Sequence, residues 1–268
     1  MILASASLGH WALPGLAALV YGLVALAGKR LSARAARVSL MLAWLLHGCA
    51  IGQDLFSTPP HFGFAQTCSI TVWLMMTVYL VESQVMPQMK ARLALAGFGT
   101  AVLLLTLAFP GHPLPPTHSV LLPLHWALGI AAYGLFAVAV VHGWVMARSE
   151  SRIRQGQEAD AGVPLLKLER LTFRFVAAGF VLLTATLLVG TLFGEALYGK
   201  AHLGWRWDHK RVFALLSWLV FAVLLFGRWR FGWRGKRALR MLYAGSALLL
   251  LAYVGSRFVL EVVLRTPA

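Results

Sequence analysis

Crossing the hydrocarbon core of a membrane as a helix takes about 20 consecutive, mostly apolar residues, because only a helix satisfies its own backbone groups there. The chain of 268 residues carries eight such runs, near 8–27, 35–56, 63–85, 91–109, 120–146, 172–194, 212–227 and 239–262. Hydrophobic residues make up 59% of the chain and charged residues 12%, against about 45–50% and about 25% in soluble proteins, so a soluble domain is excluded. The expected fold is all-α: a polytopic integral membrane bundle of about eight transmembrane helices, with 1–268 as a single transmembrane domain. The first run has no basic stretch before it and is followed by Lys29 and Arg30, which predicts a retained span rather than a cleaved leader.

A formal net charge of +15 would suggest nucleic-acid binding in a soluble protein. Here the cations sit in short clusters between apolar runs, which is how a membrane protein marks its cytoplasmic loops. Eighteen of the 24 Lys and Arg residues follow runs one, three, five and seven; the loops after runs two and four carry none. The loop after run six carries Lys200, Arg206, Lys210 and Arg211. Nucleic acid is therefore not an expected partner. Membrane lipid is, and both termini and the 200–211 loop are expected on the outer side. No internal repeat is apparent, so an inverted-repeat transporter gains no support.

Two connections exceed a turn. On the inner side, the polar stretch from Arg148 gives way at Pro164 to leucines interleaved with Lys167, Glu169 and Arg170, a pattern that suits either a short helix on the membrane surface before run six or a solvated linker. On the outer side, the proline-rich segment 110–118 cannot continue a helix and predicts an ordered loop before run five.

The loop from Gly199 to Arg211 is the richest in chemistry. It holds His202 and His209, Trp205 and Trp207, Asp208, and the cations Lys200, Arg206, Lys210 and Arg211. Few ligands call for all of these together. Haem does: its macrocycle stacks on aromatic rings, its propionates need cations, and its iron takes imidazole nitrogen. An interfacial aromatic belt is the other reading of the two tryptophans. His125, at the outer end of run five, can share a site with histidines on the same face: His112, His118, His202 or His209, with His209 favoured and His202 its competitor. His142 lies 17 residues from His125, about 25 Å along a helix, so the two cannot share one iron. Asp208 either pairs with Arg206, Lys210 or Arg211 to hold the loop or orients a histidine.

The segment Gly204-Trp-Arg-Trp-Asp208, with Lys210 and Phe213 to Leu219, resembles the tryptophan-rich WWD motif of cytochrome c assembly proteins of the CcsA and CcmC type. Trp233 to Ala238 is similar to the inner loop that follows it in that family, and Leu124 to Phe136 to the span that carries an outer haem-ligand histidine. The likeness covers 120–262, the expected assembly core, and is shared with YpjD-like inner membrane proteins. It implies a non-enzymatic role in handling or presenting haem, b type and non-covalently held, on the outer face of a bacterial inner membrane. His125 would be one axial ligand, with apocytochrome c or another biogenesis protein as partner. Family members equipped for haem transfer carry further histidines in the next span and near the C-terminus. This chain has none after His209, Phe226 stands at the corresponding site in run seven, and Arg211 replaces the usual acid after the motif lysine. A membrane accessory subunit of an ion transporter or another complex, keeping the fold without haem transfer, is the alternative.

Elsewhere, His47 lies within run two, and a His47–Asp54 pair needs the helix to continue through Gly52. Cys49 and Cys68 are not spaced as CxxC and are expected to pack as small hydrophobes. No Ser/His/Asp arrangement, Walker loop, HExxH or GxGxxG gives a warrant for hydrolase or nucleotide chemistry.

Overall fold

The computed structural model describes residues 8–28, 30–85, 92–113, 121–156, 164–193, 209–255 and 258–259. Among them, eight α-helices follow in order: α1 (Leu8–Ala27), α2 (Ala33–Leu55), α3 (Phe64–Val85), α4 (Arg92–Ala108), α5 (Leu121–Arg154), α6 (Leu165–Leu192), α7 (His209–Phe231) and α8 (Gly235–Leu250). A π-helical turn, Leu251–Gly255, continues α8. The two short strands β1 (His61–Phe62) and β2 (His112–Pro113) pair antiparallel, with His61 opposite Pro113 and Phe62 opposite His112. Six helices, α2, α3, α5, α6, α7 and α8 with its π turn, are long and apolar enough to cross a membrane. Helices α1 and α4 are apolar over 17 residues each, Trp11–Ala27 and Arg92–Ala108, about 25 Å and at the short end for a span. The protein is an all-α polytopic membrane protein.

Two compact units divide the chain, Met1–Pro116 and Thr117–Ala268. In the first, α1 packs on α2 and α4, and α3 on the same two. Ser32 starts α2 by accepting the Ala35 amide hydrogen on its side-chain oxygen at 3.1 Å, which satisfies one of the donors a helix start leaves over. From there α2 buries Ala36, Leu40, Ala43, His47 and Ala50. This alternating spacing of four and three puts them on one stripe, and its small residues let neighbouring backbones approach. Arg92 at the start of α4 donates to the Gly28 carbonyl at 3.1 Å, tying the ends of α1 and α4.

In the second unit α5 packs on α6 and α8, and α7 on the same two. Its centre is the stacked pair Phe136 and Phe221, 3.8 Å between centroids and 6° from parallel, both almost fully buried. Glycine backbone faces both rings: a Cβ at Gly179 would come within 3.1 Å of Phe136, and one at Gly245 within 2.9 Å of Phe221. Such close approach is how helices associate where lipid is as apolar as the side chains.

The structure moves several expected boundaries. Among the described residues no separate surface helix precedes the sixth span: Leu165 to Leu171 are the first two turns of α6 itself. Leu168, Glu169 and Thr172 are buried there, so inward contacts, and the lack of a breaker after Pro164, carry the helix through. Helix α5 runs on to Arg154, about 51 Å in all, which carries its polar end beyond the hydrocarbon. Helix α7 gains a turn at its end and stops at Gly232, whose left-handed backbone (φ +64°) and amide bond to the Arg228 carbonyl form a glycine cap. Helix α2 does pass through Gly52, yet the His47 imidazole meets Ser69 on α3, with Nε2 and the hydroxyl oxygen 2.8 Å apart. Both cysteines are free; Cys49 is exposed and Cys68 half-buried, so Cys49 is not the buried packing group the sequence suggested.

Candidate functional site

One rim of the second unit draws a residue from each of its four helices or their ends. His125 stands in the second turn of α5, half-buried. Its ring lies against Gly190 of α6, where a Cβ would approach the imidazole Cε1 to 3.1 Å, and it hydrogen-bonds the backbone of Thr186 one turn away on that helix. A larger residue at 190 would push the ring aside, so the glycine sets where the imidazole can sit. The charged neighbour of His125 is Lys210, in the first turn of α7. The Lys210 ammonium stands 5.2 Å from the ring centre of Tyr253 on the π turn, within the range of a cation–π contact. A π turn widens the helix and often marks a functional position; here the Leu249 carbonyl beside it accepts the Tyr133 hydroxyl of α5. Beneath the rim, Trp218 donates from its indole nitrogen to Thr184 at 2.9 Å and lies near-parallel to Phe180 at 5.5 Å.

At the other end of the unit, charge is organised differently. Glu169 of α6, buried, pairs with the Arg228 guanidinium of α7, and Arg234 lies 3.7 Å from the same carboxylate. Arg228 also donates to the Trp233 carbonyl at 3.1 Å and lies over Phe173 at 4.2 Å. Trp233 covers Gly227, where a Cβ would collide with its ring, and Arg237 stacks on Trp233 at 3.8 Å. The cluster clamps the α7–α8 turn. It is a folding device built on one carboxylate among many cations.

Of the sequence-predicted site residues, the structure brings His125 and Lys210 to one rim. His209 begins α7 beside Lys210 and is exposed; Arg211 follows, half-buried. His202, Trp205, Arg206, Trp207 and Asp208 lie outside the described residues, as does His118. His112 belongs to the first unit, where its strand pairs with Phe62. Phe226, the site matched to a family histidine, is surface-exposed near the far end of α7, against Trp229 and Phe231. It lies 16 residues beyond Lys210, about 24 Å along the helix, so it is no part of the His125 rim. Gly190, Thr186 and Tyr253 were missed by sequence reasoning. Nothing in an apolar run marks a glycine or a tyrosine as facing a particular histidine. Among the described residues no three His, Cys, Asp or Glu side chains converge on a metal-sized point. A single imidazole, as at His125, is what a metal already carried in a macrocycle takes from one face.

Residues 33–264 match the family model described as Cytochrome C assembly protein. The chain is 30% identical over 142 residues to the inner membrane protein YpjD of Escherichia coli K12, covering 52% of each chain. It is 36% identical over 89 residues to the cytochrome c biogenesis protein CcsA of Prochlorococcus marinus strain NATL1A, 33% of this chain and 27% of that one. It is 33% identical over 108 residues to CcsA of Synechococcus sp. strain JA-3-3Ab, 38% and 30% respectively. The matched part thus spans about half of YpjD and under a third of each CcsA protein. With the family model running through nearly all the described helices, the chain belongs to the cytochrome c assembly protein family.

Proposed function

We propose that this protein handles haem in cytochrome c biogenesis, holding it without a covalent bond at the rim of the second unit and presenting it to apocytochrome c or another assembly protein. The observation that carries the reading is the convergence of an imidazole, an ammonium and a tyrosine ring at one rim, with His125 seated on the bare backbone of Gly190. These are the groups a haem needs: a nitrogen for the iron, a cation for a propionate and a flat face for the ring. His125 would supply one nitrogen to the iron. His209 would be the favoured second ligand because it adjoins Lys210, with His202 its competitor. Trp205 and Trp207 would offer flat faces for the ring, Lys210, Arg206 and Arg211 would meet the propionates, and Asp208 would hold the loop. The haem is of b type and brings the redox chemistry; the chain positions it and performs no enzymatic turnover.

The positive-inside distribution supports a rim on the outside, with both chain ends on the same extracytoplasmic side of a bacterial inner membrane. Purification with added haem and an absorbance spectrum test the site. A Soret band is expected in wild type and is lost or shifted in His125→Ala; an absent band, or one unchanged in the variant, counts against the assignment. A second reading, an accessory membrane subunit that keeps the fold without haem, is favoured by the lack of any histidine after His209. It predicts unchanged haem-stained cytochromes in cells lacking the protein, where haem handling predicts their loss.

A further inference from the structure

The first unit contains an opening that none of this uses. At the end of the unit that carries the α2–α3 connection, a small cleft with room for about one water is lined by the polar residues Asp54, His61, Gln66, Ser69 and Thr106 among apolar neighbours. Ser69 is the link inward. It lines the cleft, and its hydroxyl shares the 2.8 Å hydrogen bond with Nε2 of His47, which has no exposed surface. Beyond His47 the edge of its ring meets Tyr21 of α1, 5.8 Å between centroids. Three deeply buried polar atoms here lack a hydrogen-bond partner among the described residues: the Tyr21 hydroxyl, Nδ1 of His47 and Oε1 of Gln66. Such atoms in a native interior usually mark bound water. The Gln66 amide nitrogen meanwhile donates to the Phe109 carbonyl at 3.2 Å, which holds that side chain at the cleft wall.

We propose that this cleft is a water inlet that makes the membrane-embedded His47 a proton-exchanging site reachable from the end of the first unit that carries the α2–α3 connection. A hydronium in the inlet gives a proton to the Ser69 oxygen and is left as water. The hydroxyl's own O–H bond breaks as the Nε2–H bond forms, so the serine is regenerated and the charge rests on the imidazole. Release runs the same steps backwards. The titratable groups around the route are Asp54 and His61 at the mouth and Tyr21 beyond the imidazole; among the described residues no lysine or arginine lines it. Intramembrane ionisable groups open to water are the ones that exchange protons in membrane proteins. This inlet belongs to the first unit and stands or falls independently of haem binding in the second.

The test is water-edited solid-state NMR of the full chain in lipid bilayers, with ¹⁵N-histidine and ¹³C-serine labels and His47→Gln to assign the His47 signal. His142, equally buried in the second unit and absent from the inlet lining, is the internal comparison. Magnetisation from water is expected to reach His47 and Ser69 at least threefold faster than His142. Ala50→Leu, which fills the inlet from α2, is expected to slow His47 to the His142 rate. Equal rates for the two histidines in wild type overturn the proposal, and so does an Ala50→Leu protein that folds and leaves the His47 rate unchanged. Should that variant fail to fold, the wild-type comparison decides alone.

Discussion

Both units arrange four helices so that each packs on its chain neighbours and the first closes on the last, yet their interiors solve different problems. The first buries polar groups along its length: His47, Gln66, Thr67, Ser69, Glu82, Ser83 and Thr106. The second also buries His142, Ser149, Thr172 and Ser217, but it centres on stacked phenylalanines, with His125 and Lys210 at one end and Glu169 with Arg228 at the other. Polar groups inside a membrane have to be satisfied pair by pair, which fixes register but leaves openings for water. A centre of stacked rings gives a stiff platform, which suits a site that must hold groups from four helices at one rim.

Four substitutions probe that contrast, beginning with the platform. Phe221→Ala removes half of the central stack and is expected to cost about 3–5 kcal/mol, read as a lower midpoint in detergent unfolding. A loss near zero would mean that the second unit is not organised around the ring pair. Next is the clamp: Glu169→Ala leaves Arg228 without its carboxylate. Because the Arg228 side chain is 21% exposed, the expected loss is about 2 kcal/mol, below the usual figure for breaking a fully buried pair. It should be smaller in the Glu169→Ala/Arg228→Ala double variant than the sum of the two singles.

In the polar unit, a double-mutant cycle on His47→Ala and Ser69→Ala is expected to give a coupling of about 1 kcal/mol, typical of interhelical hydrogen bonds in membranes. A coupling of zero would remove the pairing that distinguishes this interior. The smallest stability effect belongs to Gly190→Ala. Alanine favours a helix over glycine by about 1 kcal/mol, but its Cβ would meet the His125 ring at 3.1 Å. Unfolding is expected to shift little or upward while haem affinity in a titration falls. An unchanged affinity would separate His125 from the haem site.

Much of this was legible in the residues. The first span, 8–27, matches α1 at both ends, and runs two to four fall within two residues of α2, α3 and α4, since long apolar stretches bounded by cations leave little choice. The start of α6 was not legible: interleaved leucines and charges from Leu165 to Leu171 read equally as a surface helix, until Glu169 turned out to be buried against Arg228, 59 residues away. The site divides in the same way. His125 and Lys210 stand out as polar groups at the edges of apolar runs. Gly190 and Tyr253 look like any other members of a span.

What the sequence by itself determined was the number and type of helices, their passage through a membrane and the family, because hydrophobic length and backbone satisfaction in lipid act locally along the chain. Which faces meet was decided only in the tertiary structure. Lipid is as apolar as leucine, so hydropathy cannot say which side of a helix turns inward; ring stacking on glycine, and hydrogen bonds such as His47 to Ser69, choose it through residues far apart in the chain.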